Sequence, residues 1–153
     1  MKRKIRWISI LTIFSLFLLS FTIPIAYETV MEYKFSEKVL SAHSKNISTF
    51  SMNEITDFQW DKAYLDYENY DKGEKIKEKY QLKGHIRMQL SNVQVRIIFA
   101  KNDRIVKMSI VDTMIVMFDP TIADLLPDTV LNVEWVKSPT HPWHDVLYLT
   151  IKE

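Results

Sequence analysis

The chain has 153 residues, 47% of them hydrophobic and 25% charged, a balance that fits one folded domain plus a targeting segment and excludes a disordered chain. It has no cysteine and only two glycines, which removes disulfides, thiolate metal sites, thiol catalysis, lipidation on cysteine and glycine-rich phosphate loops. The formal charge of +1 hides an asymmetry: Lys2, Arg3, Lys4 and Arg6 all precede the first acid, Glu28, so 20 − 4 leaves 16 basic against 19 acidic residues, or about −3. No basic stripe that would neutralise phosphates remains, and nucleic acid is not an expected partner.

Residues Trp7 to Tyr27, WISILTIFSLFLLSFTIPIAY, carry no charge and are long enough to cross a bilayer as a helix. The basic cluster before this run and the acidic-leaning chain after it predict a cytoplasmic N-terminus and an extracytoplasmic C-terminal part, a single-pass arrangement. The alternative is secretion after signal cleavage. Cleavage places small residues at two positions before the cut; Ala26 fits one, but Pro24 would hold the other, and the run exceeds a usual signal-peptide core. Residues 1–27 are therefore read as a signal-anchor helix.

Residues 28–45 predict a juxtamembrane helix, because Met31, Phe35, Val39 and Ala42 recur at helical spacing between charges. Residues 46–153 read as one extracytoplasmic α+β domain with a mainly antiparallel sheet and one or two short helices. Asn46 to Met52 is β-prone. Thr56 to Tyr67, TDFQWDKAYLDY, alternates as a strand, with Phe58, Trp60 and Tyr64 assigned to one face and Asp57, Gln59 and Asp61 to the other. Asp71 with Glu74 three residues on resembles a capping box for a short helix showing Ile76 and Tyr80 on one side, with Gly84 beyond its end.

Val93, Val95, Ile97 and Phe99 alternate with Gln94 and Arg96, Lys101 to Arg104 supplies a turn, and Ile105 to Val111 returns. Ile115 to Phe118 is a short apolar run, and Asp119-Pro120 predicts a helical turn limited by Pro127. Leu131, Val133 and Trp135 share one face of a further strand, as do Leu147, Leu149 and Ile151 in the last. About five to seven strands result, with links short enough to favour antiparallel pairing.

The segment carrying Thr56, Asp57, Phe58, Trp60, Asp61, Lys62 and Tyr64 resembles a T-D-F-x-W-D-K-x-Y strand of small exported or membrane-anchored proteins of Gram-positive bacteria. In that group the strand follows an N-terminal hydrophobic segment and often runs into a Gly-Pro turn; here Leu65-Asp66-Tyr67 follows instead. The resemblance implies an extracytoplasmic location and implies no catalytic role.

Three sets of residues bear on chemistry. Asp57 and Asp61, if on one strand, stand roughly 13 Å apart, wider than paired catalytic carboxylates, so turn capping and salt bridges are the favoured roles. Phe58, Trp60 and Tyr64 read first as core; with Asp61 and Lys62 at its edge, the same row would serve as an aromatic strip for a polysaccharide or extended peptide. The candidate binding residues are thus Asp57, Trp60, Asp61, Lys62 and Tyr64. His141 and His144 flank Pro142-Trp143 and are weak metal candidates lacking an obvious third ligand apart from His85 or a distant carboxylate. No cofactor is expected and no catalytic residue stands out. The leading expectation is a non-enzymatic module acting on a membrane or envelope protein; the alternative is a small extracytoplasmic hydrolase or carbohydrate-binding protein using Asp57, Trp60, Asp61 and Lys62.

Overall fold

The computed structural model describes residues 35–68, 70–71, 73–86 and 89–152. The expected membrane-spanning run, residues 7–27, lies outside them, as do residues 28–34 of the expected juxtamembrane helix. Among the described residues no helix is long and apolar enough to cross a membrane.

The described chain opens in a helix, α1, over 35–44. Its apolar spacing works as the sequence predicts: Phe35 and Val39 are buried and Leu40 and Ala42 pack beside them. They join the same core as the strands, so α1 is part of the domain's packing. Asn46, at φ 59°, turns the chain into β1 (Thr49–Ser51). Within the expected 46–52 strand only these three residues pair as one. A one-turn helix, α2 (Met52–Ile55), follows at once because Glu54 accepts a hydrogen bond from the Ser51 N–H at 2.7 Å and the carbonyls of Thr129 and Pro127 take the N–H groups of Met52 and Asn53.

The strands are β2 (Lys62–Asp66), β3 (Gln94–Lys101), β4 (Arg104–Asp112), β5 (Val116–Phe118), β6 (Asp124–Leu125), β7 (Val130–Lys137) and β8 (Asp145–Ile151). They form two four-stranded sheets, β1-β7-β8-β5 and β4-β3-β2-β6, where one sheet was expected. Among the described residues the strands of both sheets pair antiparallel except β5 with β8, which run parallel, and an isolated parallel bridge joins Lys83 to Arg104. The long return through residues 119–144 makes the parallel β5–β8 pairing possible. The expected helical turn after Asp119 is instead a tight turn, in which Ile122 N–H bonds the Asp119 carbonyl and the Asp119 carboxylate accepts from Thr121 N–H.

The two sheets share one apolar core. Phe50, Leu131, Val133, Leu147, Leu149, Val116 and Phe118 meet Ala63, Leu65, Val95, Ile97, Phe99 and Leu125 there. The β3–β4 hairpin turns on Asn102 and Asp103, both at positive φ (49° and 61°), the backbone that a two-residue hairpin of primed type requires.

The outer face of the β2–β3 sheet is covered too. α3 (Glu74–Tyr80) lays Ile76 and Tyr80 over Tyr64, Ile98 and Ala100 in a second apolar cluster. Asp71 starts this helix, but two residues earlier than a capping box would: its carboxylate accepts from Gly73 N–H and Lys75 N–H at 2.8 and 2.7 Å, while Gly73 takes the N-cap position at φ 79°. Glu74 pairs with Lys77 instead of reaching back. Gln81, at φ 53°, closes the helix ahead of Gly84.

The strand expected over 56–67 is shorter. Residues 56–61 are irregular because Thr56 bonds back to the Met52 carbonyl, and Trp60 Nε1 donates to Thr56 Oγ1 at 3.0 Å, which folds the segment over the core. With pairing beginning at Lys62, Tyr64 falls on the α3 face while Trp60 enters the main core. The expected single aromatic face is therefore split between two cores.

Candidate functional site

Three segments enclose a cleft of about 250 Å³: the end of β2 and its continuation (Leu65 to Glu68), one side of α3, and residues 120–123 of the β5–β6 connection. The backbone bond from Leu65 N–H to the Ala123 carbonyl, 3.1 Å, holds the third segment to the first. Apolar wall comes from Ile76, Tyr80, Pro120 and Ile122; Glu68, Lys75 and Lys79 form a charged rim.

Asp66 lines this cleft and is 3% exposed. It stands opposite Arg96, 1% exposed, in the β2–β3 register, and the two side chains meet at 2.7 Å. The second carboxylate oxygen of Asp66 accepts from Glu68 N–H at 3.1 Å. Burial pushes the Asp66 carboxyl above its ordinary range despite Arg96 and the Glu68 N–H, and burial likewise pulls the Arg96 guanidinium below its own. Both charges are disfavoured by the same cause, so the pair positions groups more than it stabilises the fold. Gly73 closes over it: a Cβ there would stand 2.5 Å from Arg96 Nη1 and 2.6 Å from Ile86 Cδ1, so a residue with no side chain is required where the loop crosses the guanidinium.

At the rim, Lys75 pairs with Glu68 at 2.6 Å between exposed side chains. Lys79 holds its ammonium 4.9 Å from the Tyr80 ring centroid, and Tyr80 in turn stacks at 4.2 Å on Tyr64. Tyr67 is 40% exposed, yet its hydroxyl is pushed well up by burial and by the neighbouring Asp119, so it stays neutral.

The residues chosen from sequence sit elsewhere and apart. Trp60 is 5% exposed, with its ring edge-on to Phe99 at 5.1 Å. Phe58 is half-buried on the same Phe99 ring. Asp57 lies near Lys107, whose ammonium also sits 4.5 Å from the Phe58 ring centroid. Asp61 accepts from Asn102 N–H at 2.8 Å and so fixes the β3–β4 hairpin. Lys62 bridges to Asp124 at 2.9 Å, and Tyr64 is buried under α3. Asp57, Trp60, Asp61 and Lys62 therefore serve four different neighbours and do not converge on one concave surface. The 13 Å strand spacing for the aspartates lapses with the strand.

His141 and His144 lie in the β7–β8 loop. His144 Nε2 meets the Met114 carbonyl at 2.6 Å and His141 Nδ1 meets Thr140 Oγ1 at 3.0 Å. Among the described residues no group of three His, Asp or Glu is placed to hold a metal ion.

Asp66 and Arg96 were missed by sequence reasoning. The available signal was Arg96 within VQVRIIFA, where Ile98 and Ala100 make the supposedly polar face apolar. Compared with family models, with curated proteins and with solved structures, the chain has no match.

Proposed function

We propose that this chain is a membrane-anchored extracytoplasmic module of the cell envelope that works by protein–protein contact and not by catalysis. The observation that carries the reading is the uncharged run 7–27, set between four basic residues and an acidic-leaning chain, the charge pattern of a single pass with its N-terminus inside. Only residues 28–34 separate the run from Phe35, the first described residue of the domain's core. Fully extended, seven residues span about 25 Å, so the domain is held against the bilayer. The likeness of Thr56–Tyr64 to the Gram-positive exported strand supports the same location. Contact is favoured over chemistry because the buried carboxylate of the cleft, Asp66, is held against Arg96, and a general acid or base needs a group at liberty to exchange its proton with a substrate.

Fractionation of cells under alkaline carbonate tests the tether. The C-terminally tagged chain is expected in the membrane pellet at its full 18.2 kDa plus the tag. A shorter chain in the medium would replace the anchor by a cleaved signal, and full-length chain in the soluble cytoplasm would overturn the reading.

A further inference from the structure

We propose that the cleft between α3 and residues 120–123 is a docking pocket for an acidic segment of a partner protein, which inserts one apolar side chain beside Tyr80 and Ile122 and sets a carboxylate against Lys79. This rests on the contact-module reading in taking a protein as the occupant; the pocket chemistry stands on the geometry.

Size comes first. At about 250 Å³ the cleft falls below the roughly 300–1,000 Å³ of pockets that enclose drug-sized ligands. It suits a single anchoring side chain, the device through which interfaces concentrate their binding energy. The walls match that use: Ile76, Tyr80, Pro120 and Ile122 give an apolar lining, to which Tyr67, 40% exposed, adds a ring. Tyrosine is a residue interfaces favour, being apolar in body and polar at its tip.

Charge names the partner's character. α3 turns Lys75 and Lys79 toward the cleft, whereas Glu74 and Glu78 line a separate shallow depression with Lys77, Gln81 and Leu82. Inside the cleft the carboxylates are matched, Asp66 by Arg96 and Glu68 by Lys75. That leaves Lys79, held over the Tyr80 ring, as the lining cation with no carboxylate partner among the described residues. An acidic residue beside the anchor completes the complement and suppresses basic competitors. The floor is already fixed by the buried Asp66–Arg96 pair and by Gly73 packed on it, so little ordering is needed on docking.

The test pans a phage library of random 12-residue peptides on the full-length chain in nanodiscs. Two variants are run in parallel: Ala123→Trp, which fills the cleft from an exposed lining position, and Lys79→Glu. The enriched set is expected to pair an apolar residue with a neighbouring Asp or Glu. Those peptides should lose on the order of tenfold or more in affinity to Ala123→Trp, and Lys79→Glu should shift the enriched set to Lys and Arg. A reversal of preference requires a folded protein, so it cannot come from unfolding. Lack of a common pattern, or enriched peptides that bind Ala123→Trp unchanged, would overturn the proposal. So would protection of Ala123→Cys from alkylation by anionic phospholipid vesicles with no protection by peptides. The panning does not depend on which side of the membrane the domain occupies, so it can fail or succeed independently of the tether.

Discussion

Arg96→Leu is expected to lower stability by about 3–5 kcal/mol, because it strands the Asp66 carboxylate in an apolar interior. Both side chains are almost completely buried and meet at 2.7 Å. Replacing both, as Asp66→Leu with Arg96→Met, should recover most of that loss, since an apolar pair of similar volume avoids the cost of burying two charges. The single variant also carries a pH signature. Burial holds Asp66 above its ordinary value, so the folded state takes up a proton more readily than the unfolded chain. That contribution favours folding below the ordinary carboxylate pKa of about 4 and fades as pH rises through the folded value. Without Arg96 the carboxyl loses the guanidinium that lowers it and rises further, so acid should narrow the gap between Arg96→Leu and wild type. Urea unfolding at about pH 7 and again at about pH 4.5 measures this. A gap that widens in acid would mean that the pair is not isolated from water.

Trp60→Ala is the second large effect, expected at about 3–5 kcal/mol. The indole is 5% exposed, lies edge-on to Phe99, and donates to Thr56, which itself bonds back to α2. Deleting it opens a cavity in the main core and releases residues 56–61. Trp143, 77% exposed in the β7–β8 loop, supplies the control: Trp143→Ala should change stability by no more than about 0.5 kcal/mol. Denaturant midpoints of the two variants decide between them. A stable, folded Trp60→Ala would return the motif to the surface as a binding element.

What could be read in advance depended on how many faces of an element are covered. α1 showed its apolar spacing plainly. β7 showed its alternation because Leu131 and Val133 face the core while Asn132 and Glu134 lie on the other side. β3 misled because both its faces are buried: Val95, Ile97 and Phe99 enter the main core, and Arg96, Ile98 and Ala100 lie beneath α3 and its preceding loop. A strand covered twice loses its polar face, and an arginine within it reads as solvent-facing until its partner is known. Asp66 is thirty residues from Arg96, and only the β2–β3 register brings them together. The Thr56–Tyr67 segment failed for a local reason: the Thr56–Trp60 hydrogen bond ends the alternation before Lys62. The parallel β5–β8 pairing is equally invisible locally, since it depends on where a long connection returns. The cleft inherits these difficulties, being assembled from three segments none of which is distinctive alone.

The most direct measurement uses the absence of cysteine from the chain. Trp143→Cys and Lys4→Cys each introduce a unique thiol, the first at a position 77% exposed on the domain, the second before the apolar run. Intact cells are treated with a membrane-impermeant maleimide. Labelling of Trp143→Cys on intact cells, with Lys4→Cys labelled only after permeabilisation, is the result expected of an outward-facing module held by residues 7–27. Labelling of Lys4→Cys on intact cells, with Trp143→Cys protected until the membrane is opened, would contradict it.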